Sequence, residues 1–238
     1  MSKIILGYEN KFWESNGIKR KILWNSPHLL LSGLTGGGKS VLAQSIVNQL
    51  LTEQKELFIC DYKAGGDWDN ILPKYAEYKD CDTLVNEYYE LFVETIRKKE
   101  KRECYLLFDE FASYSLTKDT KEFKALMEKI SHVAFMGRSF GFRLILISQQ
   151  FNSKVLDTAI REQFGTKIYM GRTISTESST MLFPNCEIDK SKPLPHCCGY
   201  ISTQEKELDI IRVPYLQNPQ KLKKLLIKKG QPYFQDIK

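Results

Sequence analysis

Eight consecutive residues, Gly33-Leu34-Thr35-Gly36-Gly37-Gly38-Lys39-Ser40, satisfy the spacing G-x-x-x-x-G-K-[ST] at every constrained position. Glycines let a backbone curl until consecutive N–H groups face one anion, and the helix that follows adds its positive N-terminal end. Lys39 then carries a mobile charge to the β- and γ-phosphates of a nucleotide, and the Ser40 hydroxyl offers one ligand to Mg²⁺. The flanks suit such a loop. His28-Leu29-Leu30-Leu31 reads as a buried parallel strand entering it, and Leu42, Ala43, Ile46, Val47, Leu50 and Leu51 give the exiting helix a wide apolar face. Gly33, Thr35, Gly36, Gly37, Gly38, Lys39, Ser40 and Val41 are therefore the expected nucleotide-binding set, with ATP and Mg²⁺ as the cofactors.

A second strand pattern ends in acids. Cys104-Tyr105-Leu106-Leu107-Phe108 runs into Asp109-Glu110, about seventy residues beyond the loop, with strand and helix patterns between. Delivered to a phosphate site, Asp109 holds Mg²⁺, directly or through water, and Glu110 orients and deprotonates the attacking water. Leu57-Phe58-Ile59-Cys60-Asp61 is a comparable strand, and Asp61 and Lys63 at its carboxyl end either face the nucleotide or form a structural turn. Arg143–Ser148 is a further strand running into Gln149 and Gln150. Gln149 either senses the γ-phosphate or positions water, or it is a solvated strand end.

The remaining chain supplies expectations of organisation. Ile4–Tyr8 and Lys21–Trp24 read as strands joined by a turn at Ser15-Asn16-Gly17, and Asp82 reads as the N-cap of an amphipathic helix ending in the basic run Arg97–Arg102. The stripe Phe123, Leu126, Met127, Ile130, Ala134 belongs to a helix broken at Arg138–Phe142, and another helix is expected over 153–163. Gly165–Met170 is a strand, residues 199–213 a hairpin, and Lys221–Lys229 a basic amphipathic helix, most simply docked on its own domain. At 238 residues and 42% hydrophobic content, the length suits one α/β core: an N-terminal β-hairpin element over 1–26, the ATPase core over 27–215 and a basic helical tail over 216–238.

The +6 formal charge permits nucleic-acid binding without requiring it. No run reaches the roughly 20 apolar residues of a membrane span, and Met1–Gly7 is too short for a signal segment, so a cytoplasmic protein without direct membrane insertion is expected. Cys186, His196, Cys197 and Cys198 lack the usual spacing of a zinc set.

Taken in order, these stretches resemble the FtsK/SpoIIIE branch of the FtsK–HerA P-loop ATPases, over residues 4–215. His28–Ser40 is similar to that family's strand and Walker A loop, Phe108-Asp109-Glu110-Phe111-Ala112 to its Walker B stretch, and Asp61-Tyr62-Lys63 to its D-P-K element with Tyr62 in place of proline. Gly137–Gly141 and Ile145–Gln149 resemble its R-x-x-G turn and its strand ending in Ser-Gln or Thr-Gln. The resemblance implies a RecA-like, mainly parallel α/β sheet flanked by helices, a homo-oligomeric ring, usually of six subunits, and ATP-driven movement along double-stranded DNA. It also implies that Arg138 is the trans-acting finger on a neighbour's ATP, with Arg143, Arg161 and Arg172 also available. Gln150 replaces the arginine often found after the sensor glutamine, and His196-Cys197-Cys198 replaces glycine and basic residues before the last hairpin. Without the membrane segment and winged helix of chromosome-segregation members, a motor core of a plasmid, conjugative-transfer or viral-packaging apparatus is expected. A nucleotide-dependent regulator and a single-strand-directed helicase-like ATPase are the alternatives.

Overall fold

The computed structural model describes residues 4–216 and 218–235. Residues 1–3, 217 and 236–238, which belong to the expected N-terminal element and C-terminal tail, lie outside the described residues. In chain order the elements are β1 (Ile4–Glu9), α1 (Asn10–Asn16), β2 (Lys21–Trp24), β3 (Leu29–Gly33), α2 (Lys39–Thr52), β4 (Glu56–Asp61), β5 (Tyr75–Glu77) and α3 (Cys81–Lys98). There follow β6 (Cys104–Asp109), α4 (Phe111–Leu116), α5 (Thr120–Phe140), β7 (Phe142–Ser148), α6 (Thr158–Glu162) and β8 (Thr166–Met170), then α7 (Thr176–Leu182), β9 (Cys198–Ser202), β10 (Asp209–Arg212) and α8 (Pro219–Gln235).

All ten strands join one sheet in the order β2-β1-β10-β9-β8-β3-β7-β6-β4-β5. From β8 to β5 the pairing is parallel, and from β9 to β2 it is antiparallel. The inner parallel strands β3, β4, β6 and β7 are buried on both faces, which is why their sequences are nearly continuous apolar runs. Side chains alternate between two cores: Leu30, Phe58, Leu106, Phe108 and Leu144 face α3 and α5, whereas Leu29, Leu31, Ile59, Leu107 and Ile145 face α2. The expected apolar residues of α2 are all fully or nearly buried, because that helix is enclosed by the sheet on one side and α8 on the other. The tail helix thus docks on its own domain through Leu226, with Leu222, Ile227 and Tyr233 beside it.

Several local expectations change. The turn at Ser15-Asn16-Gly17 is the end of helix α1, closed by Gly17 at φ 71°. β1 and β2 pair antiparallel around that helix, and β1 joins the rest of the sheet through β10. Asp82 lies in the first turn of α3 rather than at its cap, where its carboxylate accepts hydrogen bonds from Tyr114 and Lys118. α5 runs on through Arg138 to Phe140. It starts in a capping box between Asp119 and Glu122 and ends at Gly141, φ 83°, where a Cβ would lie 2.1 Å from the Arg102 carbonyl. The helix expected over 153–163 is confined to α6, because the Asp157 carboxylate caps it by accepting from Ile160 N–H at 2.9 Å.

His28, just before β3, is fully buried and ties three elements together. Its Nδ1 accepts from Leu144 N–H at 3.0 Å, which leaves the ring proton on Nε2 to be donated to the Ala134 carbonyl at 3.1 Å. Burial is the main reason its pKa falls from 6.5 to about 3; the Ala134 carbonyl opposes the fall and the Arg143 charge adds to it. Between those values the unfolded chain binds the extra proton, so this residue's stability is complete above pH 6.5 and is lost as pH falls toward 3. In urea unfolding between pH 7 and pH 4.5, the wild type is expected to lose stability more steeply than His28→Asn, by up to about 1.4 kcal/mol per pH unit at the low end. Equal slopes would assign the acid sensitivity elsewhere.

Candidate nucleotide-binding site

The sheet brings three chain segments to one edge. β3 lies between β7 and β8, so the loop that leaves β3 at Gly33 opens beside the carboxyl ends of both neighbours. β6 lies next to β7 on the other side, and β4 pairs with β6 in a register that sets Asp61 opposite Asp109. The carboxyl edge of a parallel sheet is where such folds bind ligands.

The loop's glycines answer to two different constraints. Gly36 and Gly38 have φ of 77° and 99°, a region that side chains enter only at a cost. Gly33, at φ 141°, and Gly37 instead lie against the last residue of β8: a Cβ would stand 2.0 Å and 2.4 Å, respectively, from the Met170 carbonyl oxygen. α2 begins at Lys39, whose ammonium donates to the carbonyls of Gly33 at 2.6 Å and Leu34 at 3.1 Å. Burial lowers the Lys39 pKa, and the negative charges of Glu110 and Asp109 oppose that shift. The loop lysine and the two acids therefore share one electrostatic site. Ser40 follows on the first turn of α2, Thr35 is exposed at the loop's tip, and Val41 lines a neighbouring cleft.

Asp109 accepts from Glu110 N–H at Oδ1 and from the Trp68 indole N–H at Oδ2, both at 3.0 Å. Burial raises its pKa to about 6; the Trp68 bond lowers it, and the charges of Asp61 and Glu110 raise it further. Asp61 is only 2% exposed, accepts from the N–H groups of Lys63 and Gly65, and is likewise raised by burial. Glu110 has left-handed backbone, φ 58° and ψ 41°, and its carbonyl starts α4 by accepting from Tyr114 N–H. A glutamate in that conformation costs about 1 kcal/mol or more and is held there by its surroundings. Carboxylates crowded together and withdrawn from water are the donor set that a hard divalent cation favours. Asp109 and Ser40 are the residues that would hold Mg²⁺, which would supply charge neutralisation at the phosphates.

The other expected residues fall as follows. Gln149 sits immediately beyond β7 with its carbonyl accepting from Ser32 Oγ at 2.8 Å, which puts it next to the end of β3; its side chain is exposed. Arg138 is exposed on the last turn of α5, just before β7 begins, and therefore at the opposite end of the sheet from its own loop. Arg143 and Arg161 are buried, donating to the Ser26 carbonyl and to the Phe151 and Leu156 carbonyls. Arg172 lies just past β8, with Nε on the Leu194 carbonyl. Tyr62, the departure from proline, stacks on Tyr78 at 5.2 Å between ring centroids.

Two features escaped the sequence. Trp68 has no spacing signal linking it to Asp109. A cleft of about 330 Å³ also opens beside the loop, walled by Gly36–Gly38 and Val41 on one side and by His196, Cys197 and Tyr215 on the other. The substituted residues before the last hairpin are thus part of the nucleotide side. Cys198, next to them, points its thiol at the Asn10 side chain, and among the described residues no three His, Cys, Asp or Glu side chains group as metal ligands.

A glycine loop with a buried lysine, facing paired acids at the carboxyl edge of a parallel sheet, defines a P-loop nucleotide-hydrolysing domain. No protein-family model matches the chain. It is 26% identical over 180 residues to the FtsK domain-containing protein YdcQ of Bacillus subtilis, covering 68% of this chain and 37% of that protein. It is 28% identical over 167 residues to the type VII secretion system protein EssC of Staphylococcus aureus, covering 56% of this chain and 11% of EssC. The chain thus spans little more than a third of the first relative and about a tenth of the second. In fold it resembles the cytoplasmic domain of the Thermomonospora curvata type VII secretion ATPase EccC, with a TM-score of 0.70, 19% identity and coverage of 96% of this chain and 31% of that one. It also resembles the pCW3 conjugation coupling protein TcpA solved with ATPγS, with a TM-score of 0.65, 19% identity and coverage of 93% and 74%. A third likeness is to the genome packaging NTPase B204 of Sulfolobus turreted icosahedral virus 2 with ATPγS, at 0.54, 17%, 79% and 98%. In sequence the chain is similar to FtsK-domain proteins, and its fold is that of P-loop ATPase domains.

The two glycine constraints give different expectations. Gly37→Ala drives a methyl group into the Met170 carbonyl and is expected to abolish binding of a fluorescent ATP analogue and lower the melting temperature. Gly36→Ala meets no atom within 4 Å and is expected to fold, losing about 1–2 kcal/mol for its backbone alone. Equal losses in both variants would show that crowding against β8 is not what shapes the loop.

Proposed function

We propose that this domain is an ATP-driven motor that moves double-stranded DNA as part of a ring. The observation that carries the reading is the gathering of the buried Lys39 and the partly buried Asp109 and Glu110 at one edge of the sheet, which suits rapid hydrolysis rather than storage of a nucleotide. In this reading the loop N–H groups and Lys39 hold the phosphates, and Ser40 and Asp109 hold Mg²⁺. Glu110 takes the proton of the attacking water, and Gln149 at the end of β7 positions that water or reports the γ-phosphate. Arg138, exposed at the far edge of the sheet from its own loop, serves a neighbour's site. The likeness to TcpA, a conjugation coupling protein, and to B204, a genome packaging NTPase, supports DNA as the load and a transfer or packaging apparatus as the setting. Among the described residues no helix is long and apolar enough to cross a membrane.

A second reading has its own support. EssC and EccC are type VII secretion proteins, so the load could instead be a polypeptide of a secretion system. Steady-state ATP hydrolysis with and without linear duplex DNA separates the two. The motor reading expects stimulation by duplex and a loss of at least ~100-fold in Glu110→Gln, with nucleotide still bound. Turnover indifferent to duplex but raised by single strands or by a polypeptide would overturn DNA translocation and leave the ATPase in place.

A further inference from the structure

Asp109 is oriented from outside its own strand. The segment between β4 and β5 folds back across the sheet edge and inserts Trp68, which is fully buried, so that its indole N–H donates to Asp109 Oδ2 at 3.0 Å. That segment is in turn gripped by α8. Lys223 on α8 donates to the Gly66 carbonyl and pairs with the Asp69 carboxylate at 3.7 Å. One helical turn further, Leu226 is buried in the same cluster as Trp68, Ile71 and Leu72. Gly230 then passes so close to the segment that a Cβ would lie 1.7 Å from the Ile71 carbonyl oxygen. On either side of that point α8 is also fastened to α2, through Lys229 on Asn48 Oδ1 at 2.8 Å, and to the turn after α2, through the Tyr233 hydroxyl on the Lys55 carbonyl at 2.8 Å. One helix therefore links the helix that follows the phosphate loop to the segment that aims the indole at the acid.

We propose that Trp68 is a positioning residue for Asp109 and that α8 is the strap that holds it in place, so that the C-terminal helix sets how well the site takes a metal–nucleotide complex. This rests on reading Asp109 as the Mg²⁺ ligand. An indole N–H fixed on one carboxylate oxygen selects the rotamer of the acid and limits which lone pairs remain for a cation; such outer partners commonly change metal affinity 10- to 100-fold. Packing alone would explain a buried ring here, but not an indole nitrogen aimed at a carboxylate that already has a backbone donor on its other oxygen. Nor does it explain a glycine in the middle of α8 where the helix meets the segment.

The test uses the full chain, with binding of a fluorescent ATP analogue titrated against MgCl₂ and parallel titrations in EDTA. Trp68→Phe keeps an aromatic ring and removes the donor; Lys223→Met loosens the strap from the protein's surface, and Gly230→Ala pushes it away. Trp68→Phe is expected to bind the analogue in EDTA within about 2-fold of wild type and to need about 10-fold more Mg²⁺ for half-maximal enhancement. Lys223→Met and Gly230→Ala are expected to move the Mg²⁺ midpoint in the same direction. They should also shift tryptophan emission to the red, a shift absent when either is combined with Trp68→Phe. Lys223→Met keeps the test decisive should the more disruptive changes fail to fold. A normal wild type with an unmoved midpoint in Trp68→Phe or Lys223→Met overturns the proposal and leaves the ATPase reading intact. A wild type whose nucleotide binding ignores Mg²⁺ removes the metal assignment of Asp109 and the proposal with it.

Discussion

A carboxylate withdrawn from water has to be compensated, and two of them end neighbouring strands in this protein. Asp61 and Asp109 stand in register at the carboxyl ends of β4 and β6, and burial raises both. Most of what surrounds them is an answer to that cost. Trp68 and the Glu110 backbone each donate a hydrogen bond to Asp109, the turn after β4 donates to Asp61, and the Lys39 ammonium supplies the nearby positive charge. Burial also disfavours the charged lysine, whose ammonium is held by the Gly33 and Leu34 carbonyls while the charges of Glu110 and Asp109 oppose the shift. The same unfavourable crowding of acids would be relieved by a divalent cation.

The sheet explains how so much charge can be held in place. Six parallel strands, the inner ones covered on both faces, form a rigid platform, and the antiparallel half is continuous with it through β8 and β9. β8 is the join between the two halves, and its terminal carbonyl at Met170 is the wall against which Gly33 and Gly37 pack. The antiparallel half also contributes His196, Cys197 and Tyr215 to the cleft beside the loop.

Strands such as Leu57–Asp61 and Cys104–Asp109 were legible because burial on both faces makes them unbroken apolar runs bounded by acids. α2 was legible because its glycine loop announces its start and its enclosure by α8 makes its apolar face wide. What the sequence hid depended on contacts between distant segments. Trp68 gave no signal because its partner lies 41 residues away and the link exists only through the fold of the segment after β4. α1 read as a turn because Ser15-Asn16-Gly17 carries the same residues in a helix end as in a hairpin. β5, only three residues long, and the short helices α4 and α7 fall below the length at which periodicity distinguishes anything. Arg138 was visible as a residue type, but only the topology reveals that it stands at the end of the sheet opposite its own loop.

Coupling of hydrolysis at this site to movement along duplex DNA, as proposed, can be read from displacement of a third strand from a triplex placed along a linear duplex. Displacement is expected with ATP and Mg²⁺, and none with ATPγS or with Glu110→Gln. Hydrolysis of ATP on the same duplex with the third strand left in place would contradict it.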